Sequence, residues 1–212
     1  MIASRSRLCG ASVLALCLTL PACTAAVRTD ASSSFLIIES LAAASGAKPD
    51  TFGANLASDV QTYVKRDVGG QQVLVPTIFE DLGRVTFRLG MKDPGTTAAP
   101  SAPSTANFIT VTRYRVSFTR SDGRNTPGVD VPYGFDGAFT VTVGSASATA
   151  SMSLVRVQAK SESPLRALIG GNGAFAISTI AEITFYGKDQ SGHDVSVTGT
   201  ISVNFADWGD PA

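Results

Sequence analysis

Carboxylates are the side chains of this sequence whose placement most invites chemistry. Asp189 and Asp194 share one turn, Asp130 and Asp136 flank an aromatic loop, Glu80 and Asp81 are adjacent, and Asp207 and Asp210 surround Trp208. Calcium takes about six to eight oxygen ligands, commonly from acidic loops, which makes Asp189 and Asp194 candidate ligands at a loop end. No segment has the alternating acidic spacing and distal Glu of an EF-hand, and the competing reading is an Asp that hydrogen-bonds the backbone of its own turn. Two carboxylates about 5 to 9.5 Å apart in a cleft would suit glycoside hydrolysis, so a carboxylate-based hydrolase stays open behind the binding readings below.

Other catalytic constellations are missing. The single histidine, His193, lies between Gly192 and Asp194 in a turn, where a solvated side chain is expected. No Ser sits in a strand, G-x-S-x-G and helix arrangement that a His-activated nucleophile would use. Zinc of the Cys and His kind fails on ligand count. Gly170-Gly171-Asn172-Gly173 lacks the Lys-Ser/Thr that follows a phosphate loop, and reads as a glycine turn. The expectation is therefore no cofactor, no bound metal beyond the calcium candidates, and no enzymatic activity.

Recognition chemistry is better represented. The loop Asp122 to Gly137, DGRNTPGVDVPYGFDG, combines turn formers with Tyr133 and Phe135. Aromatic rings on a loop contact sugars, peptides or other proteins. The alternative is that both rings fold back to cap the open end of the core.

Strands must position these loops, because apolar residues recur at every second position. Val195, Val197, Gly199, Ile201, Val203 and Phe205 make one face of a half-buried strand; Gly199 on that face marks a bulge, a bend or a close neighbour. Ile183 and Phe185 alternate likewise, and Lys188 to Asp194 supplies the turn, giving a closing antiparallel hairpin over Ile180 to Phe205. Phe139, Val141 and Val143 form another strand, as do Val85, Phe87 and Leu89. Between Phe108 and Arg120 the phase slips, so a bulge near Thr112 or Arg113 is predicted. A similar slip separates Met152 and Leu154 from Val155, Val157 and Ala159. Phe35 to Leu41 gives a first strand, and Gln72 to Phe79 an apolar run in which Pro76 suits an edge or a bulge. Leu56 to Val64 is ambiguous, and Pro164 to Ile169 fits one helical turn. Arg84, Arg88, Arg113 and Arg115 are expected to face solvent. Met91 to Asn107 is a Pro, Ala, Ser and Thr connector.

Seven to nine strands with loops rich in Gly, Pro, Asp and Ser predict an all-β antiparallel β-sandwich with Greek-key connections, in one domain over residues 35–208 with a short tail at 209–212. The last hairpin, AEITFYGKDQSGHDVSVTGTISVNF, resembles the closing strand pair of immunoglobulin-like modules of bacterial surface proteins. That resemblance implies an immunoglobulin-like sandwich; the Cys, Trp, Cys pattern of antibody domains is absent.

The N-terminus has the parts of an export signal over residues 1–22: Arg5 and Arg7, an apolar run from Leu8 to Leu20, and small residues before Cys23. The run is shorter than the about 20 residues a membrane-spanning helix needs. Leu20-Pro21-Ala22-Cys23, with Pro21 uncommon at its middle, resembles the lipobox of bacterial lipoproteins, which implies cleavage before Cys23 and diacylation of its thiol. Ordinary secretory cleavage between Ala22 and Ala26 is the alternative. Two or more acyl chains hold a protein stably to a membrane. Thr24, in place of the Asp that retains enteric lipoproteins at the inner membrane, implies the outer membrane. Residues 23–34 then form the lipidated Cys and a small, polar tether.

All 3 cysteines, Cys9, Cys17 and Cys23, precede the body, so disulfides cannot stabilise it. Its stability must come from burial, and domains of about 150 residues bury around 70 % of their unfolded surface. Basic and acidic residues balance at 17 each, which gives no electrostatic case for nucleic acid. The expected function is a lipid-anchored, non-catalytic binding or structural module of the bacterial envelope, facing periplasm or cell surface, with another envelope protein as partner. The alternative is a carbohydrate-binding or adhesion module using Tyr133 and Phe135.

Overall fold

A computed structural model describes residues 32–171 and 175–208. The export signal, Cys23, most of the tether and the tail after Trp208 lie outside the described residues. Ten strands are described: β1 (Ser34–Ala44), β2 (Asn55–Asp59), β3 (Thr62–Val68), β4 (Gln71–Thr77), β5 (Asp81–Met91), β6 (Ile109–Thr119), β7 (Phe135–Val143), β8 (Ala148–Val155), β9 (Ile177–Asp189) and β10 (Asp194–Ala206). One helix, α1 (Val157–Ser161), and single 3-10 turns at Thr105–Asn107 and Leu165–Leu168 complete the elements.

Eight of these strands pack as a sandwich of two sheets. A three-stranded sheet in the order β1-β5-β8 faces a five-stranded sheet in the order β2-β10-β9-β6-β7. All pairings within them are antiparallel except β2 with β10, which run parallel. The alternation read in β5, β9 and β10 becomes the core. Phe87 of β5 meets Phe185 of β9 edge-on at 4.9 Å between ring centroids, joining the two sheets, and Phe118 packs on Phe205 at 5.7 Å. Edge-to-face pairs of this kind add about 0.5–1.5 kcal/mol beyond their area burial.

The slip in β6 is a bulge between Val111 and Arg113, shared by its pairings with β7 and β9. It returns Ile109, Val111, Tyr114, Val116 and Phe118 to the buried face. Gly199 marks a close neighbour: a Cβ there would stand 2.8 Å from Ile38 Cδ1 of the opposite sheet.

Several expectations are corrected. The second slip is a break in register at Leu154, where Asp81 pairs with Val155 and Leu82 with Ser153, but Val157 and Ala159 lie in α1 and not on a continued strand. Ser34 already belongs to β1, and Ser32 and Ser34 are buried, with the Ser34 hydroxyl donating to the Asn107 carbonyl at 2.6 Å; these residues belong to the folded body, not to a tether. The run around Pro76 lies at an edge, one of the two places that proline suits. It forms β4, paired only with β3 in a two-stranded ribbon on which Tyr63, Val68, Val73 and Leu74 are exposed.

Candidate functional site

The loop before β7 is held by its own backbone. Thr126 N–H donates to Asp130 Oδ2 at 3.1 Å, Asp130 N–H to the Thr126 carbonyl at 2.8 Å, and Gly128 N–H to the Val131 carbonyl at 2.8 Å. Val131 and Pro132 are buried and anchor the loop to the core. At its entrance Asp122 accepts from the guanidinium groups of Arg120 and Arg124. The Arg120 bond is the largest influence on this carboxyl and, with the Arg124 bonds, holds it down at about 2 against a smaller upward push from burial.

This fixed loop presents the two aromatic residues differently. Tyr133 is 59% exposed, and its ring lies over Gly128, whose φ is +77°. A Cβ on Gly128 would stand 2.3 Å from Tyr133 Oη, so only glycine permits both the left-handed turn and the ring above it. Phe135 is half-buried. Its ring meets Tyr114 edge-on at 6.2 Å and carries the Arg156 guanidinium 3.8 Å above its face. Such a cation over a ring is worth about 0.5–1 kcal/mol at exposed sites. Arg156 also donates to the Asp136 carbonyl, while the Asp136 carboxylate pairs with Arg113 and Arg115 at 3.0 Å each.

A cleft of about 390 Å³ opens between this loop and α1, lined by Pro132, Tyr133, Phe135, Arg156, Gln158 and Glu162 among others. Gln158 Nε2 donates to Glu162 Oε1 at 2.9 Å, one helical turn on. The cleft thus offers an exposed ring, a cation stacked on a second ring, and a planar amide beside a carboxylate. That set can stack on a flat apolar face and hydrogen-bond its edge. Arg156, Gln158 and Glu162 carried no signal in the sequence, because period-two spacing masked the helix.

The calcium candidates are not brought together. Asp189 ends the inward-facing row of β9, with its side chain 3% exposed, whereas Asp194 pairs with outward-facing Lys188 at 2.6 Å and is 85% exposed. Asp189 Oδ1 accepts the N–H groups of Ser191 and His193, and Oδ2 meets His193 Nδ1 at 2.8 Å. Burial raises this carboxyl, but the His193, Ser32 and Ser191 hydrogen bonds outweigh it and leave it below its ordinary value. His193 is correspondingly part-buried at 22% exposure, not a solvated turn residue. Among the described residues, no group of three or more His, Cys, Asp or Glu could hold a metal ion. None of their helices is long and apolar enough to cross a membrane.

On its inner side α1 buries a charge. Lys160 and Asp81 are both 0% exposed and meet at 2.7 Å. Lys160 Nζ also donates to the Asp59 carbonyl at 2.8 Å, Gly46 N–H donates to Asp81 Oδ1 at 2.8 Å, and Ser58 Oγ donates to Oδ2 at 2.6 Å. Burial pushes the Asp81 carboxyl up and the Lys160 ammonium down, each opposed by the partner's charge. Comparison with family models, curated proteins and solved structures finds no match to this chain.

Proposed function

We propose that the chain is a non-catalytic binding module of the bacterial envelope, an immunoglobulin-like sandwich tied to the outer membrane through an acylated Cys23. It engages another envelope protein through the Tyr133 cleft. The observation that carries the binding role is the exposed Tyr133 ring, held over Gly128 by a hydrogen-bonded loop beside an open cleft. A large aromatic residue anchored on a rigid loop adds contact area at low conformational cost, as hot-spot tyrosines do. The immunoglobulin-like reading draws support from strand order: β1, β5 and β8 take the places of strands A, B and E, opposite β10, β9 and β6 in the places of G, F and C. The envelope location rests on the lipobox sequence.

A saccharide is the second reading of the same cleft, favoured by the Gln158 and Glu162 pair beside an aromatic ring. In-cell photocrosslinking from position 133 separates the two. A protein adduct that is lost in Gly128→Ala supports the envelope-protein partner. Binding on a glycan array that disappears in the Tyr133→Ala, Phe135→Ala double variant supports the saccharide. No adduct and no glycan binding overturns the site. Mass spectrometry of the mature N-terminus tests the anchor: an unacylated start after Ala22 or later overturns it.

A further inference from the structure

The ribbon of β3 and β4 stands apart from the sandwich, since the two strands make their extended contacts only with each other. A two-stranded hairpin left alone in water is marginal. Gly69 and Gly70, at φ of +64° and +84°, close it with a two-residue turn. Such a turn is flanked by a hydrogen-bonded pair, here Val68 with Gln71, and pairs of the two kinds then alternate along the strands. Gln72, Leu74 and Pro76 fall in the other kind of pair, so their backbone polar groups face the outer edge of β4. That edge is uncharged from Gln71 to Val75, QQVLV, and Val73 and Leu74 are exposed on it. A neutral, apolar edge of this type is a template for another strand. The outer edge of β3 is different, because Lys65, Arg66 and Asp67 follow one another there, and a two-fold axis at any of the three sets a charge against its own copy.

We propose that two copies of this chain associate by pairing their β4 strands antiparallel about a two-fold axis at Val73, joining two ribbons into one four-stranded sheet. In this register Gln72 lies opposite Leu74 of the second copy and Leu74 opposite its Gln72, and each pair exchanges both N–H···O bonds. Val73 meets Val73 of the second copy in a pair without hydrogen bonds, where side chains come closest, and Val75 meets Gln71. No charged side chain of β4 is desolvated, because it has none. Pro76 selects the register. It lacks the N–H that would face outward, so an axis at Leu74 or Val75 sets a carbonyl against a missing donor. An axis at Val73 puts Pro76 opposite the Gly70 turn, past the end of the ladder, and an axis at Gln72 runs the ladder into that turn. One short strand pairing buries less than the roughly 1,200 Å² of a standard interface, so the dimer is weak and forms at high protein concentration.

The test is disulfide trapping in the full chain, with purified protein and in producing cells, read by peptide mapping so that links through the native cysteines are told apart. Val73→Cys places two thiols across the axis at a spacing that a disulfide spans. Gln71→Cys places them about 13 Å apart along the strands, out of reach. The expected result is a dimer linked at position 73 with the first variant and none linked at position 71 with the second. Leu74→Pro, added to Val73→Cys, removes an outward donor while sparing the pairing to β3, and should weaken trapping about tenfold. No link at position 73, equal trapping from positions 71 and 73, undiminished trapping with Leu74→Pro, or a link from position 73 to a different protein alone overturns the proposal.

Discussion

The two sides of α1 obey opposite rules. Facing inward, Lys160 is sealed from solvent, and the Asp59 carbonyl, the Ser58 hydroxyl and Gly46 N–H are turned onto it or onto Asp81. Facing outward, Gln158 and Glu162 bond mainly to each other and line an open cleft with Tyr133. A helix of only 5 residues, with Glu162 just past its end, therefore carries a sealed ion pair on one side and an open cleft on the other. Substitutions on the inner side should act on stability, and those on the outer side on binding.

The strongest way to break that division is Asp81→Ala, which strands the Lys160 ammonium in the core. Breaking a buried pair by removing one partner costs about 3–5 kcal/mol, to be read as a lower urea midpoint. Ser58→Ala is next, removing the donor to Asp81 Oδ2, with an expected loss of about 1–3 kcal/mol in the same assay. Gly128→Ala should cost about 1–2 kcal/mol, because it puts a Cβ at a positive φ and displaces the Tyr133 ring. It should weaken binding more than stability, the opposite of Ser58→Ala. Tyr133→Ala should stay within about 0.5 kcal/mol of the parent in urea while losing the adduct or glycan signal; a large fall in stability would show that the ring serves the core.

The smallest effect is electrostatic. Asp122 titrates at about 2, below its ordinary value of 3.8, because Arg120 and Arg124 bond its charged form. Its contribution to stability is complete above the ordinary value and is lost as pH falls through the folded value. The group is exposed, so salt should screen the effect. A carboxyl titration followed by NMR should show Asp122 moving upward in Arg124→Ala, with Asp81 unchanged.

How far the sequence revealed this architecture depended on what was local. The bulge between Val111 and Arg113 was legible, because a one-residue slip moves a whole apolar row to the other face. The packing at Gly199 and the closing hairpin were legible for the same reason. The slip after Leu154 was legible as a break in register, but Val157 and Ala159 misled, because period-two spacing over so few residues also fits the entry to a short helix. Pro76 pointed to an edge for its run, but that β4 would pair with β3 alone was not legible, because alternation states which residues share a face and not whether anything covers it. Tyr133 and Phe135 were visible as types, while their division into an exposed ring and a half-buried one required the fold. Lys160 was invisible as a buried residue, since its partners come from β2 and β5, distant in the chain.

The parallel pairing of β2 with β10 sets the order in which the molecule can be finished. In the five-stranded sheet β9 lies between β10 and β6, and β2 has no partner there except β10. A chain emerging N-terminus first can assemble β1, β5 and β8, and separately β6 with β7, but it cannot join these halves until Ile177 to Ala206 has appeared. Pairings this distant in sequence form slowly. The inner face of the three-stranded sheet therefore stays largely uncovered until β9 and β10 have been made. Until then the apolar residues of β1, β5 and β8 have no facing sheet to bury them.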